Sequence, residues 1–199
     1  MNVVSSRLRG EAGVTLLELL VSVALVSVIL SGVAALLIRN SAINRTQQLV
    51  SETQSNARNS LSIIVQALRS SGWDPRDTDF APVVVDPDLG DTVSIATINS
   101  DFSGDGDIDD PDEAISIRHT NGRIEWRKSA TDPYTILAVD VSNDADGNGT
   151  VEPMFVYDNP SDPTRVTVQI TTVSPIPDPI SGTLVRHTVS SNVVLRNKL

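Results

Sequence analysis

The sequence holds no cysteine, two histidines and only 4% aromatic residues. The missing cysteine rules out disulfides, zinc–thiolate sites and cysteine nucleophiles. Scarce rings mean that any core rests on Val, Ile and Leu. Bases are in deficit, and the formal net charge is −10. Residues 44–199 carry 23 acids against 12 bases. Phosphate-backbone binding needs clustered Lys and Arg, so no nucleic-acid partner is expected. Catalytic motifs are missing as well. Neither His119 nor His187 stands near a Gly-x-Ser-x-Gly nucleophile motif, and no phosphate-cradling loop or dinucleotide fingerprint is present. Both histidines read as structural residues, Trp73 and Trp126 as packing residues, and the chain as a non-enzyme. A membrane-tethered enzyme would need a pocket joining a histidine to carboxylates.

One lack of charge is local. No base occurs between Val14 and Ile38, a run of 25 residues. As a helix this run would be roughly 37 Å long, enough to cross a bilayer core of about 30 Å with some tilt. Arg7 and Arg9 precede it, and Arg39 and Arg45 follow, so the charge rule for orientation is nearly balanced. A secretory signal has a shorter apolar region with its small-residue cleavage site after it. Here the small residue, Gly13, comes first, which points to cleavage that leaves the helix attached. Glu18 lies about 6–8 Å into the helix. A carboxylate at the bilayer centre costs roughly 2.5–3.5 kcal/mol, and less near the interface. The helix macrodipole favours a negative charge there, which is one sufficient reason for Glu18.

The residue order supplies a second reason. Gly13-Val14-Thr15-Leu16-Leu17-Glu18-Leu19-Leu20-Val21, behind a leader with Arg7 and Arg9, resembles the type IV prepilin signature. Val14 stands where that family usually has phenylalanine. The resemblance implies that a prepilin peptidase cuts between Gly13 and Val14 and methylates the new amine. It also implies that Glu18 pairs with the amino terminus of a neighbouring subunit.

Asn44 to Ser71 contains neither Pro nor Gly. Val50, Ala57, Leu61, Ile64, Val65 and Leu68 recur at helical spacing, giving one apolar stripe. Gly72 suits the helix C-terminus, followed by Pro75. The stretch ARNSLSIIVQALRSSGW is similar to the corresponding region of W-type minor pilins and J-type pseudopilins. From Trp73 to Asp91 the chain is rich in Pro and Asp and reads as a loop. AISIRHT, Asn121-Gly122 and RIEWRK then form a hairpin pattern around a two-residue turn. YTILAVDV, MFVYD, RVTVQITTV and TLVRHTVSSNVVL are further strand candidates. An antiparallel sheet against the amphipathic helix, an α+β fold, is expected.

Two acidic loops interrupt the strands. DFSGDGDIDDPDE, residues 101–113, holds seven acids and no base. Its spacing resembles an EF-hand-type Ca2+ loop. Asp101, Ser103 and Asp105 fill the first, third and fifth positions, Gly106 the sharp turn, and Asp107 offers a carbonyl. Asp109 and Asp112 complete the set, with Asp112 in place of the usual glutamate and Glu113 one residue late. In DADGNGTVE, residues 144–152, Asp144, Asp146 and Asn148 alternate, Gly149 turns, Thr150 offers a carbonyl and Glu152 is a late ligand. The competing reading for both is ordinary acidic turns, since Asp and Gly are turn formers.

The organisation expected is therefore a cleaved leader (1–13), a transmembrane and filament-core helix (14–43), an amphipathic helix (44–72) and a β-rich head (73–199). The resemblance implies a minor pilin or pseudopilin of a type IV pilus or type II secretion system. Such a subunit would wait in the bacterial inner membrane, single-pass with its head in the periplasm, and then join other pilins in a filament. The alternative is a membrane-anchored calcium-binding module with no filament role.

Overall fold

A computed structural model describes residues 14–85 and 95–195. The leader residues, Gly13 and Glu11 among them, lie outside the described residues. Among the described residues one helix, α1, runs Leu16–Ser70, and eight strands follow. The chain divides into two compact units, with the boundary between Asn44 and Arg45.

In the first unit every residue from Val14 to Ser41 is exposed, including the whole apolar run. This stretch has the length and composition to cross a membrane. Three of its hydroxyls are satisfied within the helix. Ser22, Ser27 and Ser31 donate from Oγ to the carbonyls of Glu18, Val23 and Ser27, at 2.8, 2.7 and 2.8 Å. That pattern lets serine sit in an apolar helix without an unpaired donor.

The second unit opens with the rest of α1. Its buried face is Leu49, Thr53, Ala57, Ser60, Ile64, Val65 and Leu68. The stripe expected from sequence put Val50 and Leu61 on this face; both are half-buried, while Leu49, Thr53 and Ser60 take buried places. Thr53 and Ser60 can be buried because each bonds back within the helix, to the carbonyls of Leu49 (2.9 Å) and Asn56 (2.7 Å). Thr172 ties a strand to the same face by donating to the Thr53 carbonyl at 2.9 Å.

Strands β1 (Val83–Val85), β2 (Ile95–Asn99), β3 (Ala114–Thr120), β4 (Arg123–Arg127) and β5 (Thr135–Val139) form one antiparallel sheet in chain order. Strands β6 (Phe155–Tyr157), β7 (Arg165–Val173) and β8 (Arg186–Val194) form a second. β1 lies in the Pro- and Asp-rich stretch that reads as loop; its pairing with β2, Val83 opposite Ile98, overrides the local composition. The single expected sheet is two. β5 ends before Asp140, which adopts φ 59°, and the bridge Val141–Thr172, with the N–H of Val173 on the Asp140 carbonyl, ties the chain after β5 to β7. The Asn121-Gly122 turn has positive φ at both residues, 48° and 71°, as a type I′ hairpin requires. In β7, Val166, Val168 and Ile170 are buried, as the alternation predicts. One core joins Ile64, Val65 and Leu68 of α1 to residues of both sheets. Each fully buried Ile or Leu contributes roughly 1.5–3 kcal/mol by leaving water. Trp126 packs against this core, whereas Trp73 is 53% exposed, contrary to its reading as a packing residue.

Candidate functional site

The first site is the start of α1. Thr15 precedes the first helical residue, and its Oγ1 accepts the N–H of Glu18 at 3.3 Å. Thr15 is thus the N-cap and Glu18 the third helical position, as in one half of a capping box. The Thr-x-x-Glu spacing begins the helix here and places an acid in its first turn. Val14 is exposed beside it.

The second site is the loop between β2 and β3. Asp101 is fully buried. Its Oδ1 accepts the N–H of Gly104 at 2.6 Å and the hydroxyl of Ser103 at 3.3 Å, and its Oδ2 accepts the N–H of Gly106 at 3.0 Å. The chain can wrap one carboxylate this tightly because Gly104 and Gly106 take φ 76° and 96°. Ser103, Asp105 and Asp107 then each accept the N–H two residues on, at 3.3 Å. The N–H of Asp107 and the Ser103 hydroxyl, with the nearby charge of Arg76, hold the Asp105 carboxyl below the usual carboxylate range. The Asp109 carboxyl is pushed up, first by its hydrogen bond to Asp107 and then by that residue's charge.

Carboxylate oxygens of Asp101, Asp105 and Glu113 lie within 4.8 Å of one another. Glu113 is 1% exposed. Its Oε1 accepts the N–H of Ser103 at 2.7 Å, while Oε2 is buried with no hydrogen-bond partner. Asp112, expected to close the loop, instead meets Lys128 Nζ at 2.7 Å. The reason is an extra turn. The N–H of Glu113 bonds the Asp110 carbonyl at 3.2 Å and Asp112 takes φ 73°, so the carboxylate returning to the loop is one residue later than the EF-hand count. Pro111 within DDPDE is the sequence signal for that turn. Asp107 and Asp109 are exposed beyond this cluster.

The third site is the loop between β5 and β6, which repeats the wrap. Asp144 Oδ1 accepts the N–H of Gly147 at 2.8 Å, and Oδ2 accepts that of Gly149 at 3.2 Å. Gly147 and Gly149 have φ 77° and 86°. Asp146 and Asn148 accept the N–H groups of Asn148 (3.1 Å) and Thr150 (2.6 Å). The shared pattern is Asp-x-x-Gly-x-Gly. Here, however, the guanidinium of Arg186 in β8 lies 3.8 Å from Asp144 Oδ2. It covers Gly147 so closely that a Cβ there would lie 3.1 Å from Nη1. Glu152 is directed to β7, where its Oε2 accepts Gln169 Nε2 at 2.8 Å. Among the described residues, only the first loop assembles three carboxylates at metal-ligand spacing.

His119 is buried, with Nε2 3.1 Å from the Val141 carbonyl. That contact fits a packing histidine.

Residues 8–34 match the family model described as the prokaryotic N-terminal methylation motif, which is typical of type IV prepilin-like proteins. No curated protein and no solved structure matches the chain. The motif supports a type IV pilin-like processed protein, and implies processing by prepilin peptidase and association with pilins in general. It suggests a structural subunit rather than an enzyme. The apolar helix is consistent with a membrane-anchored, pilus-associated protein.

Proposed function

We propose that the chain is a minor pilin or pseudopilin, a structural subunit of a type IV pilus or type II secretion pseudopilus. The observation that carries this reading is the coincidence of the methylation motif over residues 8–34 with an apolar helix exposed from Val14 to Ser41. An apolar surface of that size needs cover. The bilayer covers it before assembly, and the equivalent helices of neighbouring subunits cover it in the filament. Prepilin peptidase cuts after Gly13 and methylates Val14. The Val14 amine of one subunit then meets Glu18 of the next. Each charge offsets the other where neither is well hydrated, and removing one leaves a buried charge unpaired. The head stays on the periplasmic side of the inner membrane until assembly.

Mass spectrometry of the chain expressed with prepilin peptidase tests this directly. A mature chain beginning at N-methylated Val14 is expected; retention of Met1–Gly13 sinks the reading and favours a membrane-anchored module with no filament role. Glu18→Ala should insert in the membrane yet drop out of filaments, and normal incorporation would remove Glu18 from assembly.

A further inference from the structure

We propose that the loop 101–113 binds one Ca2+ ion through Asp101, Asp105 and Glu113, and that the loop 144–152 binds none. Three carboxylates converge within 4.8 Å, and two of them, Asp101 and Glu113, are at most 1% exposed. Like charges buried this closely repel strongly, because little water screens them. The backbone N–H groups of Gly104, Gly106 and Ser103 take up part of that charge. Oε2 of Glu113 is left buried and unpartnered. Buried polar atoms are paired in the great majority of cases, so this orphan points to a missing ligand.

Among the described residues no base forms an ion pair with these carboxylates, and the charge of Arg76 is felt at the exposed Asp105 alone. Arg76 gives Nη1 to the backbone carbonyl of Asp105 at 2.7 Å, and Lys128 is engaged with Asp112. The donors are all hard oxygens, which suit a hard divalent cation. Calcium fits better than magnesium. A cation between two buried carboxylates must shed water, and magnesium does so reluctantly while demanding octahedral geometry. The second loop has the same backbone wrap, but Arg186 already supplies its positive charge and Glu152 is directed to Gln169.

The ion has a mechanical consequence. The N–H of Asp101 donates to the Trp73 carbonyl at 2.7 Å. Ser100 Oγ donates to the Ser70 carbonyl at 2.7 Å, and the N–H of Gly72 to the Asn99 carbonyl at 2.8 Å. The loop is therefore stitched to the C-terminal end of α1, and calcium tightens that junction.

The test uses the full chain in detergent, stripped with chelator and titrated with calcium chloride in a calorimeter. One equivalent is expected, with Tm rising by about 5–10 °C at a hundredfold excess over Kd. Magnesium chloride should bind about tenfold more weakly or worse. Glu113→Gln and Asp105→Asn should each weaken calcium binding by about tenfold or more, since carboxylate count sets affinity. In chelator, Glu113→Gln should melt at or above the temperature of the unmodified chain, because it removes a repelled buried charge; a hydrogen-bonding role alone would lower it. No uptake at millimolar calcium, two equivalents, equal affinity for magnesium, or unchanged binding by both variants overturns the proposal. If Glu113→Gln fails to fold, the result for Asp105→Asn decides.

Discussion

In the loop after β2, Asp101 takes the N–H groups of Gly104 and Gly106; in the loop after β5, Asp144 takes those of Gly147 and Gly149. The backbones follow the same rule, yet their charges are balanced differently. Asp144 faces Arg186, whereas Asp101 faces a second buried acid, Glu113. A loop's internal hydrogen bonds thus say little about whether it needs an ion. What matters is the side chain that the rest of the fold brings against its first carboxylate.

The largest effect is expected from removing those first carboxylates. In chelator, Asp144→Ala should cost about 2–4 kcal/mol, since it strips two charge-assisted hydrogen bonds and leaves Arg186 without its acid. Asp101→Ala should cost less, about 1–2 kcal/mol, because it also relieves the repulsion on Glu113. Saturating calcium should reverse that order, as only Asp101→Ala forfeits the ion. Denaturant melts of both variants, with and without calcium, read the difference; equal costs in chelator would break the contrast between the loops.

A smaller effect separates the last glycines. Gly106→Ala and Gly149→Ala both force a Cβ into positive φ, about 1 kcal/mol of strain each. At Gly106 the new methyl also meets Arg76 Cδ at 3.2 Å and Thr78 Cγ2 at 3.3 Å, while at Gly149 it meets nothing within 4 Å. Gly106→Ala should therefore be the more damaging by thermal melt, by roughly a further 1 kcal/mol. Equal shifts would mean that Arg76 and Thr78 yield freely.

The smallest effect is assigned to Arg186→Gln. The pair is 3.8 Å long and the Arg186 side chain is one-third exposed, so its loss should cost under about 1 kcal/mol. A larger loss would show that the arginine holds the second loop together rather than only balancing its charge.

Much of the fold was legible because its signals are local. Asn121-Gly122 named its own turn, and the alternation in RVTVQITTV named β7 and its buried face. Gly72 marked the C-terminal end of α1, whereas its start at Leu16 behind the Thr15 cap came two residues later than the apolar run beginning at Val14 suggested. Val83–Val85 was hidden, since three residues in a Pro- and Asp-rich stretch carry no period and become a strand only by pairing with β2. The split into two sheets was hidden as well, because it rests on which strands pair across the fold and not on any local pattern. At the acidic loops, Asp101, Asp105, Asp144 and the glycines were readable from spacing. Glu113 was displaced from its expected place by the Asp110–Glu113 turn, and Arg186 stands 42 residues beyond Asp144 in a strand where a lone base signals nothing.

The sequence by itself determined the methylation motif, the apolar helix with its capped acid, and the carboxylate-wrapped turns. All of these depend on residues within a few positions of one another, where backbone geometry leaves few choices. Only the tertiary structure decided which partner each buried carboxylate meets. Electrostatic balance depends on distance through space: the pairing of Ser100 with Glu113 folds Glu113 back onto its own loop, and β8 brings Arg186 to the other.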